Sequence, residues 1–404
     1  MTALLPPLNP ALFHLDTDHL WLMHCSDAPV PRSVVHAERS FLHKELWPWE
    51  MQWLDDNLGI PEALRSECAR LLNGEAADIS LTPNTSSGLV TVAQSFPWRS
   101  GDEIVAPLGE FPSNIWPWKA LDSRNVLFRE VPLWDGHKAG ASGWDTTPPC
   151  ATDEPEARLI DALSPRTRMV VASWVRFQDG LKLDLAKLGS ACRRRSIHFV
   201  VDGIQGAGTA VPEIYGVSAF ACGGHKGLLG PVGQGFLWTE PGFRRQLSPT
   251  GSWLSVEEGD QFHRPSTDHD RPWLEDGRRM EPGGANVVAC AGLLEALRTL
   301  HFPGIPAIAA HIRKLQERFL QALARVPGWE AETARLLGLL ERDRLGSIIS
   351  LHHGPMDPAG LQELLQRGAR RGVYGSVREG YLRIAFHGWH SEHDVDRAVD
   401  WLTR

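Results

Sequence analysis

Apolar positions along this chain follow two patterns, and their order gives a first picture of the fold. Short apolar runs bounded by Gly, Pro, Asn or Asp predict strands at Leu20–Met23, Ile79–Thr82, Glu103–Ala106, Asn125–Val131, Met169–Ser173 and Ile197–Val201. Helical spacing predicts helices over Ser33–Leu58 (interrupted near Pro48), Pro61–Leu72, Leu89–Phe96, Asn114–Leu121, Ala157–Leu163 and Leu185–Arg195. Strands alternating with helices predict a mostly parallel sheet covered on both faces. Phe236–Trp238 predicts one antiparallel addition to it. A polar loop through Pro155 and a polar region from Thr250 to Pro282 interrupt this rhythm.

The pattern changes near residue 286. Helices are predicted over Asn286–Leu300 and Ile305–Val326, then a strand at Ile348–Leu351 and a helix over Pro358–Arg371. Strands at Val373–Val377 and Tyr381–Phe386 and a helix over Ser391–Leu402 follow, the last opened by Ser391 and Asp394 in a capping-box arrangement. Strands and helices segregated in this way predict a smaller α+β domain. The expected organisation is an N-terminal segment, 1–32, contributing to the site, a large α/β domain, 33–285, and a small domain, 286–404. A length of 404 residues suits two cores.

Composition narrows the partners. The chain is 42% hydrophobic and 22% charged with a net charge of −8, and its longest basic run is Arg193–Arg195 at a helix end. Nucleic acid and anionic membranes are therefore not expected as partners. No apolar run reaches the ~20 residues of a membrane helix. The six cysteines are widely spaced and lack metal-site spacing, so no metal is expected. Free thiols, and an N-terminus without a basic region preceding an apolar core, predict a cytoplasmic protein.

The chemistry concentrates between residues 200 and 235. The apolar run Ile197–Val201 ends in Asp202, at the carboxyl end of a strand, where open α/β sheets bind ligands. Lys226 follows inside Gly223-Gly224-His225-Lys226-Gly227-Leu228-Leu229-Gly230-Pro231. An isolated lysine is normally a surface residue. Here glycines allow close approach of a flat ligand, and apolar neighbours lower the amine pKa towards a nucleophilic form. A lysine for an imine and an acid for a ring nitrogen are what pyridoxal phosphate requires. Thr85-Ser86-Ser87-Gly88 offers hydroxyls and free N–H groups at a helix start, suited equally to a phosphate and to a plain N-cap. Phe111 is placed to stack on a ring or to fill a core. Arg383, in an otherwise apolar strand, needs either a substrate carboxylate or an internal salt bridge. The loop from His24 to Pro31, with Ser26, and the tryptophans Trp116, Trp118 and Trp174 are candidate pocket walls, which would suit a bulky or apolar substrate.

These segments together resemble the class V aminotransferase family of fold type I pyridoxal-phosphate enzymes, over about Leu20 to Leu402. The resemblance rests on Asp202-Gly203-Ile204-Gln205-Gly206, His225 through Pro231, Asn84 through Gly88, Glu110 through Asn114, and Leu382-Arg383-Ile384. It implies that Lys226 forms the imine and moves protons, with Asp202 on the ring nitrogen and Gln205 on the ring hydroxyl. It further implies Thr85, Ser86 and His225 on the phosphate, Phe111 at the stacking position, and Arg383 with Ser26 towards the substrate. A homodimer with sites at the subunit boundary is implied too. The sequence departs from the family pattern at Gly223, at Gly283-Gly284 and at Phe177, leaving Arg176, Phe177 and Gln178 open as cofactor contacts. No cysteine follows Cys290, so Tyr374 through Gly380 offers no thiol nucleophile, which disfavours persulfide-forming desulfurase chemistry. The expected activity is that of an aminotransferase acting at Cα of an amino acid. An epimerase or a β/γ-lyase shares the first steps, and a non-catalytic binding protein is the reading from another class.

Overall fold

A computed structural model describes residues 4–138, 147–352 and 357–403. Its twelve strands are β1 (Leu20–Trp21), β2 (Ile79–Thr82), β3 (Glu103–Pro107), β4 (Leu127–Val131), β5 (Thr167–Ser173), β6 (His198–Asp202), β7 (Ala219–Gly223), β8 (Gly235–Thr239), β9 (Ile348–His352), β10 (Val373–Tyr374), β11 (Ser376–Arg378) and β12 (Tyr381–Ala385). Seven form the central sheet in the order β2-β8-β7-β6-β5-β3-β4. Neighbours from β7 across to β4 run parallel, and β8 is antiparallel to both β7 and β2. The fold is thus α/β with a mostly parallel sheet, as the alternation of elements predicts.

Alternate side chains of each central strand feed two separate apolar layers. Phe199 and Val201 of β6 join one cluster and Val200 the other; Val170 and Ala172 of β5 oppose Met169 and Val171 in the same way. Both faces are therefore dry, which is why these strands read as continuous apolar runs. Each fully buried Val or Phe contributes about 2 kcal/mol of transfer free energy. Across the chain's path, β3 passes outward to β4 and the chain then returns to β5 on the other side of β3. Such a reversal opens a crevice at the carboxyl strand ends.

A three-stranded antiparallel sheet, β11-β12-β9, forms the C-terminal part, and β1 pairs in parallel with β10. The N-terminal segment is thereby tied to C-terminal strands. The helix Val287–His301 packs against the helices Arg32–Leu46 and Ile60–Leu72. The helix Glu392–Thr403 starts at the expected box, with Asp394 accepting from the Ser391 N–H (2.8 Å) and hydroxyl (2.9 Å).

Several elements differ from expectation. β7 and the helix Glu330–Glu341 add to the predicted set. The helix predicted from Leu89 begins four residues earlier, at Thr85, because the Asn84 side chain accepts from the Ser87 N–H (2.9 Å). The helix predicted over Asn114–Leu121 breaks into short turns around Pro117, which cannot donate a backbone hydrogen bond. The strand predicted over Val373–Val377 divides at Gly375 between two sheets. Residues 139–146 of the polar loop lie outside the described residues. Among the described residues, no helix is long and apolar enough to cross a membrane.

Candidate active site

A cavity of about 340 Å³ opens at the carboxyl ends of the central strands. Asp202 reaches it from the end of β6, Phe111 from the loop after β3, and Lys226 from the turn after β7. Thr85 and Ser86 enter from the first turn of their helix, and Ser26 from the N-terminal loop. Arg383 comes from β12. Gln205 and His225 line it too, so the residues given cofactor or substrate roles from the sequence share this one cavity. The geometry also adds Cys25, Asn84, Ser113, Phe177 and Arg378 to its wall.

The lysine turn is built by close packing. A Cβ at position 227 would lie 2.3 Å from the Ala207 carbonyl oxygen, and one at 224 would lie 2.9 Å from that of Gln234. The protein's own backbone thus requires these glycines, whatever a flat ligand asks of them. Leu229 occupies the left-handed region at φ 59°, which costs an L-residue about 1 kcal/mol. Hydrogen bonds from the Leu229 N–H to the Lys226 carbonyl (3.0 Å) and from the Gly230 N–H to the Gly224 carbonyl (2.8 Å) hold it there. From the N-terminal side, the Ala28 N–H donates to the His225 carbonyl (3.0 Å) and Gln205 Nε2 to the Cys25 carbonyl (3.0 Å). The loop from His24 to Pro31 is therefore fastened across the turn that carries the lysine.

Electrostatics distinguish the groups. Burial pushes the Asp202 carboxyl up to about 6, with the nearby Glu110 charge adding to the rise and the Ile204 N–H (3.1 Å) and Lys226 opposing it. Burial likewise lowers the Lys226 ammonium from its ordinary value, against the pull of Asp202. Its Nζ lies 5.8 Å from the Phe111 ring centre. His225 is held below its usual value by burial and then by the Lys226 charge. A buried carboxylate with no cationic side chain in ion-pair contact among the described residues is costly unless a ligand supplies the charge.

Arg383 is buried without a protein carboxylate among the described residues. Its Nε and Nη2 donate to the Ser376 hydroxyl (3.1 and 3.0 Å), Nη1 to the Phe177 carbonyl (2.7 Å) and Nη2 to the Ser26 hydroxyl (3.2 Å). The internal salt bridge considered from the sequence is not formed. Neutral oxygens orient the fork while leaving its charge uncompensated, the state in which a ligand carboxylate binds it well.

Of the three open positions, Phe177 faces the cavity, its ring edge-on to Phe111 at 5.1 Å. Arg176 turns away, bonded to Asp179 (2.8 Å) and to the Leu108 carbonyl (2.9 Å). Gln178 bridges the Gly109 carbonyl (2.8 Å) and Arg176 (2.9 Å). The tryptophans expected as pocket walls are elsewhere. Trp118 is buried against Asn114 (3.0 Å), Trp174 lies beneath the Asp202 loop, and Trp116 is exposed. The tryptophans therefore do not supply the expected bulky apolar wall; polar and charged groups share the lining with the Phe111 and Phe177 rings and Ile204. Glu110, visible in the sequence only as part of a motif, is a buried carboxylate accepting from the Ser173 N–H (3.0 Å), the Ser173 hydroxyl and Asn114 (3.0 Å). It ties the loop carrying Phe111 to the end of β5.

An amine, a strand-end carboxylate, a helix start with hydroxyls and a carboxylate clamp converge here, and they fit pyridoxal phosphate from imine carbon to phosphate. The comparisons agree. The family model for Aminotransferase class-V matches residues 28–397. The chain is 28% identical to isopenicillin N epimerase of Streptomyces clavuligerus, over 98% of this chain and 95% of that one. It is 27% identical to a probable cysteine desulfurase of Methanothermobacter thermautotrophicus, covering 87% and 82% of the two chains. A structure of C-DES with glycine covalently linked to its PLP cofactor superimposes with a TM-score of 0.80 at 20% identity, over 96% and 97% of the chains. This site and fold define a pyridoxal-phosphate enzyme of fold type I. The chain belongs to the class-V aminotransferase family.

Proposed function

We propose that this enzyme is an aminotransferase acting at Cα of an amino acid, and that it does not form a persulfide. The observation that carries the reading is the cavity joining Lys226, Asp202 and Arg383 with no reactive thiol beside them. β11 and β12 form a tight hairpin through Glu379 and Gly380, a stretch without cysteine. The cavity's one cysteine, Cys25, is buried, and burial raises its thiol pKa, away from the thiolate that persulfide transfer needs.

The roles follow from position. Lys226 holds the cofactor and, once displaced by substrate, carries the Cα proton, a task its lowered pKa favours. Asp202 would keep the ring nitrogen protonated and Gln205 would contact the ring hydroxyl. The bound cofactor supplies an electron sink for the bond broken at Cα. Thr85, Ser86 and His225 hold the phosphate, with the helix start adding N–H donors. Arg383 grips the α-carboxylate, and Ser26, bonded to its guanidinium, orients the grip.

A second reading, epimerisation, is favoured by the nearly full-length match to isopenicillin N epimerase. Products separate the two. Incubation with a reactive amino acid is expected to give a keto acid and the pyridoxamine form of the cofactor in equal amounts. Racemised substrate without keto acid would establish the epimerase instead, and ammonia with a cleaved fragment would establish a lyase.

A homodimer is proposed as well. Trp49 and Leu54 are 72% and 71% exposed, and Leu46, Trp47, Trp253 and Phe262 are exposed as well. Trp53 packs on the Phe262 ring at 5.0 Å and on Trp253 at 6.1 Å, and Trp47 packs on Trp49 at 5.4 Å. Leu54 and Gly283 line the same groove; the resemblance puts Gly283-Gly284 where the family often has a Gly-Thr pair that reaches the partner's phosphate, so here that contact is weaker or made by backbone alone. A patch of this kind suits a second copy. Replacing Trp49 and Leu54 together by Glu is expected to convert dimer to monomer in light scattering at micromolar concentration; an unchanged mass would rule out this face. Six unpaired thiols fit a reducing compartment such as the cytoplasm.

A further inference from the structure

Arg378 is a second guanidinium on the cavity wall, and none of the roles above uses it. In the β11–β12 hairpin Ser376 lies opposite Arg383, and Arg378 lies opposite Tyr381. Side chains alternate along a strand, so Arg378 shares the face of Ser376 and therefore that of Arg383. Diagonal neighbours on such a face are about 7 Å apart. The turn at Glu379 and Gly380, with φ of 50° and 83°, is of the kind that fixes hairpin register.

Arg378 is exposed to the cavity mouth and poorly engaged. Its hydrogen bond is a long one, 3.4 Å, to the neighbouring Val377 carbonyl, and among the described residues no carboxylate pairs with it. Arg383, though buried and well bonded, likewise has no carboxylate partner among the described residues; burial holds it below its ordinary value, with the like charge of Arg378 acting in the same direction. Asp27, the exposed carboxylate of this cavity, acts on His225 instead. Two like charges on one wall repel, and an anion spanning both relieves the repulsion.

We propose that Arg378 selects substrates carrying a second carboxylate, so that the enzyme acts on an acidic amino acid of the aspartate or glutamate kind. Arg383 holds the α-carboxylate and Arg378 the side-chain carboxylate. The assignment rests on the reading of Arg383 as the α-carboxylate clamp.

Binding can be tested without turnover. Glutarate and butyrate, titrated calorimetrically into the holoenzyme, carry two carboxylates and one. Charge-assisted bonds to a guanidinium predict glutarate binding at least about tenfold tighter. Arg378→Leu is expected to bring that ratio to about one, and Arg378→Lys, which keeps the charge but loses the fork, to an intermediate value. In assays of turnover, the kcat/KM preference for glutamate over glutamine, or for aspartate over asparagine, should fall with it. Equal binding of the two acids by the wild-type enzyme, or an equal loss for both in Arg378→Leu, would overturn the selection by Arg378 and leave the clamp intact. Unchanged binding of both acids in Arg383→Leu would remove the clamp, and the proposal with it.

Discussion

Lys226→Ala is expected to lower turnover by about 10³- to 10⁴-fold while leaving the fold intact. The loss combines two functions of one amine: the covalent attachment of cofactor and the movement of the Cα proton. The fold survives because the turn is held by the Lys226 carbonyl and by glycine packing, neither of which depends on the side chain. Lys226 is also a partly buried ammonium whose burial opposes its charge. Removing it relieves a desolvation cost in the apoprotein, so the apo variant should melt at the same temperature as the parent or higher. Borohydride reduction supplies a second measurement. It should fix the cofactor to the peptide containing Lys226 in the parent and label nothing in the variant. Turnover near the parental rate in Lys226→Ala would end the reading of this site as an imine-forming one, and a parent protein that borohydride cannot label would favour a non-catalytic binding role.

The parts of this site that are legible in the sequence share a physical reason. β5 and β6 are dry on both faces, so they appear as unbroken apolar runs, and the polar residue ending β6 stands out. The residues around Asp202 alone thus place it at a strand end. Lys226 is visible because packing forces glycines around it, although the reason for those glycines lies in the contacts of Ala207 and Gln234. β7 escapes because Ala219-Phe220-Ala221-Cys222-Gly223 lacks β-branched residues; pairing with β6 and β8 on either side makes it a strand. Here tertiary pairing overrides intrinsic preference. The tryptophans mislead for a related reason. A large aromatic near a motif in sequence gives no direction, and Trp118 and Trp174 fill layers beneath the site, not its wall. Cys25 is legible only as part of the His24–Pro31 loop, and Arg378 has no local signal at all. Cys25 reaches the cavity because β1 pairs with β10, and Arg378 because of a hairpin register, and neither pairing is written in the residues nearby.

Asp202→Asn should make the apoprotein more stable and the enzyme much slower, and the combination is what identifies Asp202 as a group held ready for a cationic ligand. Its carboxyl rises from 3.8 to about 6 on folding, chiefly by burial. Between those values the folded chain retains a proton that the unfolded chain has lost, so stability falls as pH rises through this window. Above about pH 6 the full cost applies, on the order of 3 kcal/mol. Asparagine avoids it and can still accept from the Ile204 N–H, so the melting temperature of the apo variant should exceed that of the parent at pH 8 and converge with it near pH 4. Cofactor binding runs the other way. The ionised carboxylate is the partner for a protonated ring nitrogen, so affinity in the parent should weaken as pH drops below about 6, and this dependence should be shallower in the variant. Turnover should fall by about 10²- to 10³-fold, the usual loss when a preorganised charge is removed from a dry site. The measurements are a melting curve, an absorbance titration of cofactor and a turnover assay, each against pH. Equal melting temperatures at pH 8 together with identical cofactor titrations would show that Asp202 is an ordinary buried acid and that the ring nitrogen is held by another group.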